Sequence, residues 1–134
     1  MIFEFLHLAG IIIGLGAVTV IDCIGFLGRN SVRWTRNAIE AHYVTKPLIW
    51  FGMILLTIVW VPLYNGSTLH LIKSVLIVIM FLNGSILSFY VSPRLQVHDQ
   101  KKVLPWSLQK VIIATMLVSF LSWWTLVAIT VITS

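Results

Sequence analysis

The sequence predicts an all-α, polytopic membrane four-helix bundle, and three observations carry that expectation. Hydrophobic residues fill 59% of the 134 positions and charged residues only 10%, with a mean hydropathy of +1.01, too apolar for a soluble core. Four apolar segments, about 2–27, 45–64, 69–91 and 106–131, each reach the roughly 20 residues a helix needs to cross a bilayer. Eight of the nine Lys and Arg lie in or beside two loops, one between spans one and two, the other between spans three and four. The loop between spans two and three, 65–68, carries no charge. By the positive-inside rule both basic loops are cytoplasmic and both termini lie outside. The expectation is therefore a single transmembrane domain, 1–134, in the lipid bilayer of a bacterial cytoplasmic (inner) membrane.

The first span opens with Glu4 where a secretory signal would carry basic residues, and no small-residue cleavage site follows its apolar run, so it is read as a retained helix. At about 100° per residue, His7, Gly10, Gly14, Ala17, Gly25 and Gly28 share one face, with Glu4 and Asp22 at its edge. Gly10 and Gly14 leave a groove that another backbone or a flat ligand can approach closely. The lone Cys23 forms no intrachain disulfide and reads as a small apolar residue.

Residues 30–43 are polar with scattered apolar positions, with Asn30 or Ser31 placed to cap a helix. They predict a short amphipathic helix along the cytoplasmic surface that runs into span two. Trp34, Ala38 and Ile39 would face lipid or the bundle, and Arg33, Arg36 and Glu40 would be solvated. Pro47 is read in the opening turn of span two and Pro62 as bending or ending it. Asn65-Gly66 predicts a tight turn, hence an antiparallel hairpin of spans two and three.

On the third span, His70, Lys73, Ser74, Ile77, Gly84, Ser85 and Ser88 cover one face while Asn83 points elsewhere; a neighbouring helix is its default partner in mid-membrane. Ser92-Pro93 is expected to close this span, because a residue before proline avoids helix. Thr115, Ser119, Ser122 and Thr133 line one side of span four. Trp60 and Trp106 fall near span ends, where aromatic belts are usual.

Spans one and three run in the same direction, so Glu4, His7, His70 and Lys73 share a depth near the outer leaflet. Two imidazoles facing each other across a bundle can ligate a haem iron from both sides, with Lys73 pairing a propionate and the Gly10–Gly14 groove admitting the porphyrin. The competing reading is structural: a Glu4–Lys73 ion pair with both His near water. At the inner end Asp22 is expected to neutralise Arg94 or Arg29, or to take part in proton transfer, with Glu40, His42 and His98 nearby; His42 and His98 read as solvated. The sequence lacks a phosphate-cradling glycine loop, Cys-x-x-Cys, HExxH and a nucleophile elbow, and its basic charge is membrane-flanking, so nucleic acid is excluded as a partner.

A His early in span one, an amphipathic lead-in to span two, and Leu69-His70 followed by Lys73 at the start of span three resemble the small four-span proteins related to HemJ-type protoporphyrinogen oxidase and to CopD-like copper-resistance proteins. The resemblance implies His7, His70 and Lys73 as the matching positions and b-type haem as the cofactor. The spacing departs from that pattern: His70-x-x-Lys73 stands in place of His-x-Lys. The leading expectation is thus a haem b-binding membrane oxidoreductase or porphyrin-handling protein with a quinone or other redox partner. His7 and His70 are its expected ligands, with Lys73, Glu4, Gly10 and Gly14 around them. The rival expectations are a small homo-oligomeric channel or transporter with a polar path through Asp22 and Asn83, and an accessory subunit without chemistry of its own.

Overall fold

The computed structural model describes residues 1–99 and 101–133. Among them the chain is helical, with helices α1 (Ile2–Leu27), α2 (Val32–Leu63), α3 (Thr68–Ile86), α4 (Ser92–Gln96) and α5 (Trp106–Thr133), and a π-helical turn, Leu87–Val91, that joins α3 to α4 without a break. Four helices, counting Thr68–Gln96 as one, are long and apolar enough to cross a membrane. They run antiparallel in sequence order, so both chain ends lie at one end of the bundle, the terminal end. The loops that carry the basic residues lie at the other, the basic end.

α1 and α2 make the most intimate contact. A Cβ on Gly52 would stand 2.8 Å from the Gly14 nitrogen and 2.9 Å from the Gly10 oxygen, closer than real Cβ atoms come. Glycine on both partners therefore lets the two backbones touch, as at small-xxx-small contacts in membranes. The side of Gly14 turned to α5 is filled by the indole of Trp123, which is 1% exposed. At the basic end the hairpin is tied by Thr35, whose hydroxyl donates to the Gly28 carbonyl at 2.7 Å. Ser31 caps α2, accepting from the Trp34 amide, one of the two caps the sequence offers.

α2 is one continuous helix of 32 residues, so the lead-in and span two are not separate elements. Pro47 sits in its interior, not in an opening turn. Within it Ile39 is buried and Arg33, Arg36 and Glu40 are exposed. Pro62 stands one residue before the helix ends, and Gly66 at φ 77° makes the turn into α3, a conformation that favours glycine.

The third helix does not stop at Ser92-Pro93. The π turn widens the helix just before the proline and shifts the hydrogen-bond register, so a residue without an N–H and with a bulky ring is accommodated. The Ser92 hydroxyl donates five residues back, to the Leu87 carbonyl at 3.0 Å. Asn83, off the His70 face, is buried as well, because α3 packs against both α2 and α5 and its buried arc is wider than one face. Its amide donates to the Thr115 carbonyl of α5 at 3.0 Å, the helix-to-helix bond expected of it. Thr115, Ser119 and Ser122 are buried along α5, whereas Thr133 is exposed.

Candidate functional site

At the terminal end the residues singled out from the sequence assemble around one they did not include. Trp60 is buried; its ring centroid lies 5.5 Å from that of His7, stacked, and 4.6 Å from that of His70. Its indole N–H donates to the Ser74 hydroxyl at 3.0 Å, and the Lys73 ammonium lies 4.5 Å above its ring. Lys73, 2% exposed, donates to the Thr130 hydroxyl at 2.7 Å. His70 Nδ1 accepts from the Asn65 amide at 3.2 Å. Glu4 stays outside this cluster: it is exposed and lies 3.8 Å from the N-terminal ammonium, so the Glu4–Lys73 ion pair is not formed.

His7 is buried with neither ring nitrogen hydrogen-bonded. Orphaned nitrogens are what an unfilled ligand position would show, yet the surroundings do not fit a bis-imidazole haem. The Gly10 and Gly14 groove, the room reserved for a porphyrin face, is taken by the α2 backbone at Gly52 and Leu56 and by Trp123. One face of His7 is covered by Trp60, and the His70 and Lys73 groups that would serve iron and propionate are bonded to Asn65 and Thr130. Of the two occupants the groove could admit, another backbone holds it. Among the described residues no group of three or more His, Cys, Asp or Glu could hold a metal ion.

The basic end is built differently. A cavity of about 100 Å³ lies among all four spans, bounded by Ile21, Asp22 and Gly25 of α1, by Ile39, His42, Lys46 and Trp50 of α2, by Gly84, Leu87, Ser88 and Val91 of the third helix, and by Ile112 and Met116 of α5. A single water needs about 10–15 Å³ by this measure, so the space admits several waters or one small ring. Its wall is mostly apolar, with polar groups on two sides. On α1, Asp22 Oδ2 is buried without a hydrogen-bond partner. His42, Lys46, Trp50 and Ser88 also line it: His42 Nε2 and the hydroxyl of Ser92, which stands behind the lining, are 2.6 Å apart, Lys46 reaches the same hydroxyl at 3.4 Å, and the Trp50 indole donates to Ser88 at 2.9 Å.

Asp22 therefore neutralises neither Arg94 nor Arg29. Arg94 donates to the Tyr90 carbonyl and stacks on the Tyr90 ring, and Arg29 lies over Phe26. His42 is buried and bonded, not solvated, while Glu40 is exposed and His98 bonds the Lys102 carbonyl of its own loop. The wall residues Lys46, Trp50 and Ser88, and Ser92 behind them, are not singled out as a site by the sequence. The available signal was spacing: His42 with Lys46, and Ser88 with Ser92, are four apart on facing helices. Between the two ends lies an apolar cluster that includes Val18, Met53, Met80 and Leu126, flanked by the buried Asn83–Thr115 hydrogen bond. No family model, no curated protein and no solved structure matches this chain.

Proposed function

We propose that this chain is an integral membrane protein that binds a lipid-soluble molecule with a small, flat, hydrogen-bonding head, a quinone or quinol, in the cavity at the basic end. The observation that carries the reading is the unpartnered oxygen of Asp22, a residue that lines a mostly apolar cavity together with His42 and Lys46. An unsatisfied acceptor in a low-dielectric site is expensive, about 1–3 kcal/mol, and a ligand donor offsets it. A quinol hydroxyl donates to Asp22 while its second oxygen meets the imidazole and ammonium; the Trp50 ring supplies a flat apolar wall. By the positive-inside rule the clustering of Lys and Arg at this end supports a cytoplasmic-side cavity, with both termini outside. The apolar layer between the two ends weighs against a conduit through one chain.

Binding is tested in lipid nanodiscs by titrating a decyl-tailed benzoquinone and reading quenching of Trp50 emission against a Trp50→Phe control. Saturable quenching with a Kd raised about tenfold, about 1.4 kcal/mol, in Asp22→Asn and in His42→Ala supports the reading. Quenching that never saturates, or that ignores both substitutions, rejects it. Orientation is tested separately by cysteine labelling in a Cys23→Ser background: Ser67→Cys reacts from outside and Lys101→Cys only after permeabilisation.

A further inference from the structure

A second crevice, of about 220 Å³, lies between the basic end of α1 and the start of α5. It shares Gly25, Leu104, Ile112 and Met116 with the central cavity, so the two spaces are neighbours across a thin partition. That partition is light in substance. Gly25 contributes no side chain, and the atoms in front of it are the Sδ and Cε of Met116, at 3.5 and 3.4 Å from where a Cβ would stand. Methionine is unbranched and turns through three torsions at little cost, so it can swing aside where a β-branched residue could not. On its other side the crevice reaches the outside of the bundle: Phe26 and Leu117, both on its wall, are 60% and 58% exposed. Its basic-end rim is held by Gln109, whose amide donates to the Arg29 carbonyl at 3.1 Å and to the Leu104 carbonyl at 2.8 Å.

We infer that this crevice is the lateral doorway of the central cavity and holds the hydrocarbon tail of its ligand, which makes that ligand a long-chain lipid and not a short water-soluble ring. The inference rests on the head-group site proposed above and adds the tail. The path runs from a polar pocket, past Met116, along an apolar trough between two helices to the hydrocarbon of the membrane. A molecule with a small polar ring and a flexible chain occupies the whole path with each part in matching surroundings. The charged and amide groups of Arg29 and Gln109 stay at the rim, where they confine the chain to the membrane side.

The experiment compares a tailless dimethoxy-methyl-benzoquinone with its decyl-tailed analogue, on the wild-type chain and on Ile113→Trp and Leu117→Trp, which fill the crevice from positions that do not line the central cavity. The wild type should bind the decyl form at least tenfold more tightly than the tailless form. Each Trp variant should remove most of that advantage while leaving tailless binding within about twofold, which also shows that the variant is folded. Equal wild-type affinity for the two quinones, or variants that leave the tail's advantage intact, overturns the doorway and leaves the head-group site standing. Failure of the wild type to bind either quinone overturns both.

Discussion

The two ends of this bundle are made from the same kinds of residues and come out opposite. Each has glycines on α1, ionisable side chains on two helices and a tryptophan from α2. At the terminal end Gly10 and Gly14 meet Gly52, the backbones close to contact, and Trp60 and Trp123 fill what remains. At the basic end Gly25 meets only the tip of Met116, Gly84 meets the side chains of Met53 and Trp50, and a cavity persists. The difference teaches that a small residue creates space only when nothing equally small faces it. Glycine opposite glycine draws helices together; glycine opposite a long side chain leaves room beside that chain.

The largest effect should come from breaking the closed end. Gly52→Leu drives a side chain into the backbone of α1, which cannot rotate aside, so the penalty should reach or exceed the top of the about 1–3 kcal/mol range for overpacking. Gly16→Ala, at a helical site with nothing within 4 Å, should instead be neutral or stabilising by about 0.5–1 kcal/mol. Thermal unfolding in detergent reads both; equal melting of Gly52→Leu and wild type would show that α1 and α2 do not touch.

A functional orphan at the open end predicts a trade-off. Asp22→Leu removes a buried oxygen without a partner and should stabilise the ligand-free protein by about 1–3 kcal/mol while abolishing saturable quinone quenching. Loss of stability instead would mean that Asp22 has a structural partner. A smaller effect is expected between the ends, where Asn83→Leu gives up one interhelical hydrogen bond: about 0.6 kcal/mol, and at most about 1.7, by the measured worth of such bonds in membranes.

The smallest expected effect is none at all. His7→Ala should leave quinone binding unchanged, and protein expressed with ample haem should show the same visible spectrum with and without the substitution, because the space beside His7 is filled by protein. A Soret band that sharpens on reduction and disappears in His7→Ala would break the comparison and show that the closed end opens for a porphyrin.

Much of the scaffold was legible before the structure. The bounds of α1 coincide with the expected first span, the Asn65-Gly66 turn falls where expected, and the Ser31 cap and the Thr115–Ser119–Ser122 stripe follow from local chemistry. The misjudged positions share a cause. Ser92-Pro93 was read by a rule about ordinary α-helix, and a π turn suspends that rule. Trp60 was assigned to a belt by its place near a span end, and burial depends on what faces it. The polar cluster at the terminal end was found by depth alone, which groups His7, His70 and Lys73 correctly but also admits Glu4, whose side chain points away from the bundle.

The sequence by itself determined four helices long and apolar enough to cross a membrane and their antiparallel order, because the free energy of moving a segment into hydrocarbon is close to a sum over its own residues and needs no knowledge of neighbours. Only the tertiary structure decided which polar groups meet, which glycines close and where a cavity stays open. Those outcomes turn on the rotation and separation of one helix against the next. The contact of Gly10 and Gly14 with Gly52 sets them for α1 and α2, and with them the meeting of Asp22, His42 and Lys46 around one cavity.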